Sequence, residues 1–128
     1  MNILLDSHLL LWLVSMSERL PHKARLLIEE PANRLTFSAA SIWEIAIKAS
    51  RGRDDVFIDP HLLRRTLVDT GFTELVVNSD HALRVTTLPL LHGDPFDRSL
   101  VAQAMVEGMT LLTSDRALAR YPGPILHV

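Results

Sequence analysis

The chain contains no cysteine, so it can form neither disulfide bonds nor metal sites with thiolate ligands. Its six histidines are all more than ten positions apart, a spacing that argues against a local zinc-binding motif. The net charge is only −2, so bulk charge does not indicate binding to a polyanion. If nucleic acid is the substrate, local arginines or bound cations must attract it.

Long apolar runs are also missing. No stretch approaches the ~20 consecutive apolar residues of a membrane-spanning helix. No basic segment precedes the first apolar run, which Asp6 interrupts, so a signal peptide is not indicated. We therefore expect a cytoplasmic protein with no membrane partner. With 128 residues, 48% of them hydrophobic, the chain has enough apolar material for one sizeable core, and we expect a single domain over 1–128.

Short apolar runs alternate with helical patterns along the chain, which indicates an α/β fold. The predicted strands cover residues 2–5, 34–37, 74–77, 110–112 and 125–128, and a charged loop is predicted over 51–59. Such alternation predicts a three-layer α/β/α domain with a central parallel sheet. Because right-handed crossovers place the carboxyl ends of the strands on one edge, polar residues that follow the strands should meet there.

The segment His92–Arg98 predicts the start of a helix. Asp94 is a suitable N-cap, and Pro95 fits the first helical position, where its missing N–H has no partner to lose. Asp97 then lies in the first turn, and Gly108 is expected to end the helix. A plain structural interpretation stays open, in which two acids stabilise the positive end of the helix dipole.

Glu44 lies in a second informative segment, and two helix starts are possible there. A start at Ser41 makes Ser41 and Glu44 a capping box. A start at Ser38 places Glu44 inside the helix between Trp43 and Ile45, where an unpaired charge is costly. We favour the second start, which predicts that Glu44 has a partner.

Two further acids, Asp6 and Asp115, directly follow predicted strands, and each could also serve as a helix cap, Asp115 for a helix predicted over 116–120. With Glu44 and Asp97 they make four carboxylates from separate segments that can converge at one edge of the sheet. Like charges at short distance repel and raise one another's pKa unless a cation neutralises them. Oxygen ligands suit Mg²⁺, with Mn²⁺ as a possible substitute. This site chemistry is typical of phosphoryl transfer.

Four motifs together resemble those of PIN-domain proteins, and more narrowly the VapC-like toxins of type II toxin–antitoxin systems. They are Asp6-Ser7, the run Ser38–Ile45 with its Ser-Ile-Trp-Glu-Ile core, His92–Arg98 with Asp-Pro-Phe-Asp-Arg, and Thr113-Ser114-Asp115. The resemblance implies a Mg²⁺-dependent endoribonuclease, inhibited by a protein antitoxin, whose catalytic metal ligands are the four acids. It also implies supporting roles for Ser7 and Thr113. Asp94 matches a motif position too, and we interpret it as the cap that supports Asp97.

Among the basic residues, Arg98 and Arg116 flank two of the acids and are expected to contact the phosphates of RNA. His92 is expected to form hydrogen bonds within its loop rather than to act as a base. The helix predicted over 8–14 is apolar nearly all round, so it is either buried or covered by a second chain. We expect that chain to be a second copy, giving a homodimer, or an inhibitor.

Other functions remain open from the residues alone. A phosphoacceptor signalling domain also has an acidic Mg²⁺ pocket, but it needs paired acids after the first strand and a lysine after a late strand. Here Asp6 stands alone, and the two lysines, Lys23 and Lys48, fall in predicted helices. A PIN-like nuclease without toxin function, acting on another nucleic acid, is the second alternative.

Overall fold

The computed structural model describes residues 1–52 and 58–128, so the middle of the predicted charged loop lies outside the described residues. The described strands are β1 (Asn2–Leu5), β2 (Arg34–Ser38), β3 (Thr73–Leu75), β4 (Thr110–Thr113) and β5 (Ile125–His127). The helices are α1 (Ser7–Val14), α2 (His22–Glu29), α3 (Ala39–Ser50), α4 (Pro60–Asp69), α5 (Ser79–Arg84) and α6 (Pro95–Glu107). None of these helices has the length and apolar character needed to cross a membrane.

All five strands are parallel and form one sheet in the order β3-β2-β1-β4-β5. The central strand is β1, whose Leu4 is in register with Thr36 on one side and Leu111 on the other. The predicted α/β class and parallel sheet are confirmed. The carboxyl ends of β1, β2 and β4 lie side by side, so the residues that follow these three strands are neighbours in space.

The alternating side chains of β1 divide the core into two layers. Ile3 and Leu5 belong to one buried cluster, which includes residues of α1 and α4, and Leu4 belongs to the other, which includes residues of α6. All three side chains are completely buried. Burial of a side chain of this size stabilises the fold by roughly 1.5–3 kcal/mol. Helices therefore cover both faces of the sheet, as the sequence predicts.

Helix α1 buries most of its apolar surface within the domain. Leu9 and Leu10 are fully buried, and Trp12 packs half-buried against the same cluster. The helix contacts both α3 and α4. Of the two expectations for this helix, burial is confirmed. Burial within the domain accounts for most of its apolar character, and a second chain on the remaining surface stays a prediction.

Two predicted elements are shorter than expected. Strand β3 ends at Leu75 because Asn78 begins α5 through a reciprocal capping box with His81, so Val76 and Val77 leave the sheet. The helix predicted over 116–120 is a turn followed by a 3₁₀ helix, Leu118–Arg120. Pro122 disfavours helical geometry in the residue before it, which leaves too few residues for a regular α-helix.

Candidate acidic metal site

Asp6 lies at the carboxyl end of the central strand and is 3% exposed. One of its carboxylate oxygens, Oδ1, accepts a hydrogen bond from the Leu9 N–H at 2.9 Å, so Asp6 caps α1. The other oxygen accepts a short hydrogen bond from the Thr113 hydroxyl at the end of β4. Asp6 is therefore both a helix cap and a group held at the junction of two strands.

Glu44 is buried in the second turn of α3, because that helix begins after Ser38, whose hydroxyl caps the Ala40 N–H at 3.0 Å. The predicted start at Ser38 is confirmed. The Ser7 hydroxyl donates to Glu44 Oε1 at 2.8 Å, and Lys48 Nζ donates to Oε2 at 2.7 Å. The expected partner of the buried carboxylate therefore exists, and Ser7 ties it to the residue next to Asp6.

Asp97 occupies the first turn of α6, as predicted. Asp94 Oδ1 accepts hydrogen bonds from the N–H groups of Phe96 at 2.8 Å and Asp97 at 3.2 Å, and Pro95 follows the cap. At the other end, Gly108 closes the helix in the left-handed conformation, with φ of 67°. The Asp97 side chain is 17% exposed, and its Oδ2 lies 3.3 Å from Nε2 of His92.

Asp115 follows β4 and caps the turn that leads into the 3₁₀ helix. Its Oδ1 accepts from the Ala117 N–H at 2.8 Å, and its own N–H donates to Thr113 Oγ1 at 3.0 Å. Its second oxygen, Oδ2, lies 3.5 Å from His92 Nε2. Thr113 therefore connects Asp6 to Asp115, and His92 connects Asp115 to Asp97.

The negative charge at this edge is crowded. Burial raises the pKa of Asp97 to about 7, helped by the charges of Asp94 and Glu44 and opposed by His92. Burial also raises the pKa of Asp6, although the hydrogen bonds from Thr113 and Leu9 favour its ionised form. These shifts are typical of carboxylates that lack a full counter-charge.

The donor set fits an oxygen-liganded divalent cation. Four carboxylates reach the same edge of the sheet, and ligand atoms of His92, Asp97 and Asp115 lie within 4.8 Å of one another. Since the chain has no thiolates, the hard oxygen ligands favour Mg²⁺ or Mn²⁺ over softer metals. Binding of such an ion would relieve the repulsion between carboxylates that adds to the effect of burial on the pKa of Asp97.

Arg98 and Arg116, the two arginines expected to contact phosphates, have different surroundings in the structure. The Arg98 guanidinium donates to the carbonyl oxygens of Pro89 at 3.0 Å and Val85 at 3.3 Å, and to the Tyr121 hydroxyl at 3.1 Å. These contacts give Arg98 a role in holding the 85–89 segment against α6. Arg116, by contrast, is exposed directly after Asp115.

Three polar side chains near the site were not predicted there. Lys48 pairs with Glu44, and its position four residues further along the helix was an available signal. His92 lies between two acids that are distant in sequence, which no local pattern indicates. Buried Gln103 accepts from the Ser38 hydroxyl at 2.5 Å, so α6 also supports the start of α3.

An apolar groove lies beside the acids. It has a volume of about 500 Å³ and lies between α3, α6 and the residues that follow β3. Trp43 and Phe96, the neighbours of Glu44 and Asp97 in sequence, form an edge-to-face ring pair in it with centroids 5.2 Å apart. Trp43 is nevertheless 63% exposed, and Val76 and Val77 add further exposed apolar surface.

Comparison with known proteins identifies similar chains. The pattern of the PIN domain family matches residues 3–124. Ribonuclease VapC22 of Mycobacterium tuberculosis is 33% identical over 126 residues, which cover 97% of this chain and 96% of that protein. One similar solved structure is that of VapBC2 from Rickettsia felis bound to a DNA fragment from its promoter. The TM-score is 0.70 and the sequence identity 14%, and the match covers 99% of this chain and 98% of that one. A toxin–antitoxin complex from Klebsiella pneumoniae has a TM-score of 0.66 and 20% identity over 97% and 95%.

Proposed function

The chain belongs to the PIN domain family as a VapC-like member, and from this premise we propose that it is a single-domain, Mg²⁺-dependent endoribonuclease over residues 1–128. We further propose that it is the toxin of a type II, VapBC-like toxin–antitoxin module. One observation carries the enzymatic part. Carboxylates from four separate segments lie near one another at the carboxyl edge of the sheet, and burial, together with the neighbouring negative charges, raises the pKa of Asp97 to about 7. An acidic site of this kind suits a divalent cation acting on a phosphodiester.

Asp6, Glu44, Asp97 and Asp115 are the proposed metal ligands and catalytic residues. A bound Mg²⁺ supplies Lewis-acid chemistry, which favours ionisation of water and neutralises charge on the phosphate. Thr113 and Ser7 orient two of the acids through their hydroxyl groups, and Asp94 fixes the helix turn that carries Asp97. Exposed Arg116 is the proposed phosphate contact at the rim.

The experiment is a cleavage assay on total RNA with Mg²⁺, with Mn²⁺ and with a chelator. We expect cleavage with either ion and none with the chelator. Asp6→Asn should abolish cleavage, whereas Asp69→Asn, which neutralises an exposed acid at the end of α4, should leave it unchanged. Full activity in the chelator would overturn the metal mechanism. Cleavage of single-stranded DNA in preference to RNA would make the chain a nuclease of another substrate class.

The proposed partners are a protein antitoxin and a second copy of this chain. Support for the antitoxin comes from the structural relatives, two of which are a toxin–antitoxin complex and a DNA-bound VapBC from Salmonella typhimurium. The exposed apolar groove beside the acids offers a surface for either partner. Because RNA is the proposed substrate, we expect the protein to act in the cytoplasm. Co-purification of this chain with the product of a neighbouring gene tests the antitoxin assignment.

A further inference from the structure

His92 lies in the loop before α6, with its ring between two of the proposed metal ligands. Its Nε2 is 3.3 Å from Asp97 Oδ2 and 3.5 Å from Asp115 Oδ2. One nitrogen atom therefore bridges carboxylates that belong to two separate segments. The side chain is 19% exposed, so water screens these contacts only in part.

The hydrogen bonds around the ring determine which nitrogen carries the proton. The Asp94 N–H donates to Nδ1 of His92 at 3.0 Å, and a nitrogen that accepts a hydrogen bond has no proton of its own. In the neutral ring the proton is then on Nε2, which faces the two carboxylates. The loop backbone is also held, because the His92 N–H donates to the buried Tyr121 hydroxyl at 3.0 Å, and that hydroxyl donates back to the His92 carbonyl at 3.2 Å.

We propose that His92 is a positioning residue of the acidic site, whose Nε2 attracts Oδ2 of Asp97 and Oδ2 of Asp115 electrostatically and so draws both atoms toward one point. This inference rests on the proposed metal-dependent function. Asp115 has most need of such a contact, because its Oδ1 is already used in capping the turn and its side chain is 38% exposed. Since Nε2 carries the proton, His92 acts through the two carboxylates and does not offer a lone pair to the ion.

Two variants separate this role from a role in the loop. In His92→Gln the side-chain amide N–H reaches the position of Nε2, but the acceptor at Nδ1 is lost. In His92→Asn the amide oxygen replaces the acceptor at Nδ1, but no donor reaches the carboxylates. A positioning role predicts that glutamine preserves the metal site and asparagine does not. A role in the loop alone predicts the reverse.

The measurement is calorimetric titration of the folded protein with Mn²⁺ at about pH 8, the same for every variant. We expect His92→Ala and His92→Asn to weaken Mn²⁺ binding about tenfold or more, the loss typical when a partner of a metal ligand is removed. His92→Gln should stay within about threefold of the parent, because its side-chain amide keeps a polar N–H beside the two carboxylates. His22→Ala, which alters an exposed histidine at the start of α2, should have no effect.

A second readout needs no metal. Long-range ¹H–¹⁵N NMR of the metal-free protein should show His92 with a bare Nδ1 and a protonated Nε2. The opposite tautomer overturns the proposal, as does parent-like Mn²⁺ affinity in His92→Ala or rescue by asparagine instead of glutamine. Those results leave the proposed function intact if the parent binds Mn²⁺. A parent that binds no Mn²⁺ overturns the metal site itself, and the positioning role with it.

Discussion

Asp97 makes the stability of the metal-free protein depend on pH. Its pKa is raised from 3.8 to about 7 in the folded chain, first by burial and then by the charges of Asp94 and Glu44. Between these two values the folded protein keeps a proton that the unfolded chain has released. The free energy of unfolding therefore falls as the pH rises through this window, and above about 7 the ionised carboxylate destabilises the metal-free fold.

Asp97→Asn should abolish RNA cleavage and yet stabilise the metal-free protein at high pH. The amide keeps the shape of the protonated acid without its charge, so the gain is largest above the folded pKa. We expect an increase of about 1–3 kcal/mol at about pH 8, less than the shift alone implies because part of the charge is solvated. At about pH 4 the difference in stability between the variant and the parent should nearly vanish. At that pH Asp97 is protonated in the folded parent, so it is neutral like the asparagine that replaces it.

Urea denaturation in the presence of a chelator, at both pH values, measures this difference. Asp69→Asn is the matched control, because it removes one negative charge from an exposed position. A less stable Asp97→Asn at about pH 8 would make Asp97 a structural residue.

The identity of the acids could be predicted from the sequence, but their partners only in part. Asp97 and Glu44 lie in segments where capping chemistry sets the helix start, so the place of Asp97 in the first turn and of Glu44 in the second follows from local rules. The pair Glu44–Lys48 is also local. His92 and Gln103 could not be assigned in this way, because their partners come from elements that only the tertiary fold brings near.

At the scale of the element, the start of α6 combines two effects of Asp94 that mutation can separate. Its side chain caps the helix, and its charge is the second cause of the raised pKa of Asp97. Asp94→Ala removes both effects, whereas Asp94→Asn removes the charge and keeps a good capping residue.

We expect Asp94→Ala to lower the free energy of unfolding by about 1 kcal/mol in the metal-free protein at about pH 5, and Asp94→Asn to change it little. Both should lower the pKa of Asp97, which ¹³C NMR of its carboxyl carbon reports. Asp59→Ala, which removes the cap of α4 and is not among the charges that shift the pKa of Asp97, should cost similar stability without moving that pKa. Equal stability of the alanine and asparagine variants at Asp94 would exclude the capping role.

The capping rules also explain which elements were predicted well. The starts of α3 and α6 each have a side chain that accepts a hydrogen bond from the first turn, and both starts were predicted from these capping residues. Strand β3 and the segment 116–120 were predicted too long. In both, an apolar or helical pattern continues past the point where a neighbouring cap or proline changes the backbone.

For the molecule as a whole, alternation of strands and helices was enough to predict a parallel sheet with the acids at one edge. It was not enough to locate the exposed apolar surface. The sequence directed attention to α1, which the domain buries, whereas the exposed groove is formed by Trp43, Phe96 and the residues after β3. These segments are far apart in the chain, so no single window of sequence contains the pattern.

The groove and the acids together predict how the proposed antitoxin inhibits. An apolar residue of its tail would fill the groove at Trp43, and a neighbouring arginine would pair with the carboxylates in place of the cation. Arginine and Mg²⁺ then compete for the same oxygens, so each must weaken binding of the other. At Mg²⁺ about ten times above its own dissociation constant, the apparent affinity for the tail should fall about tenfold.

Calorimetric titration of the tail peptide at low and high Mg²⁺ tests both contacts. Trp43→Ala should weaken binding about tenfold or more at either Mg²⁺ concentration, since an exposed tryptophan in a groove is a typical binding hot spot. Leu26→Ala is the matched control, because Leu26 is exposed on α2 and does not line the groove. If Trp43→Ala weakens binding but Mg²⁺ does not, the tail binds the groove and its arginine does not contact the acids. If Mg²⁺ weakens binding but Trp43→Ala does not, the tail binds the acids alone.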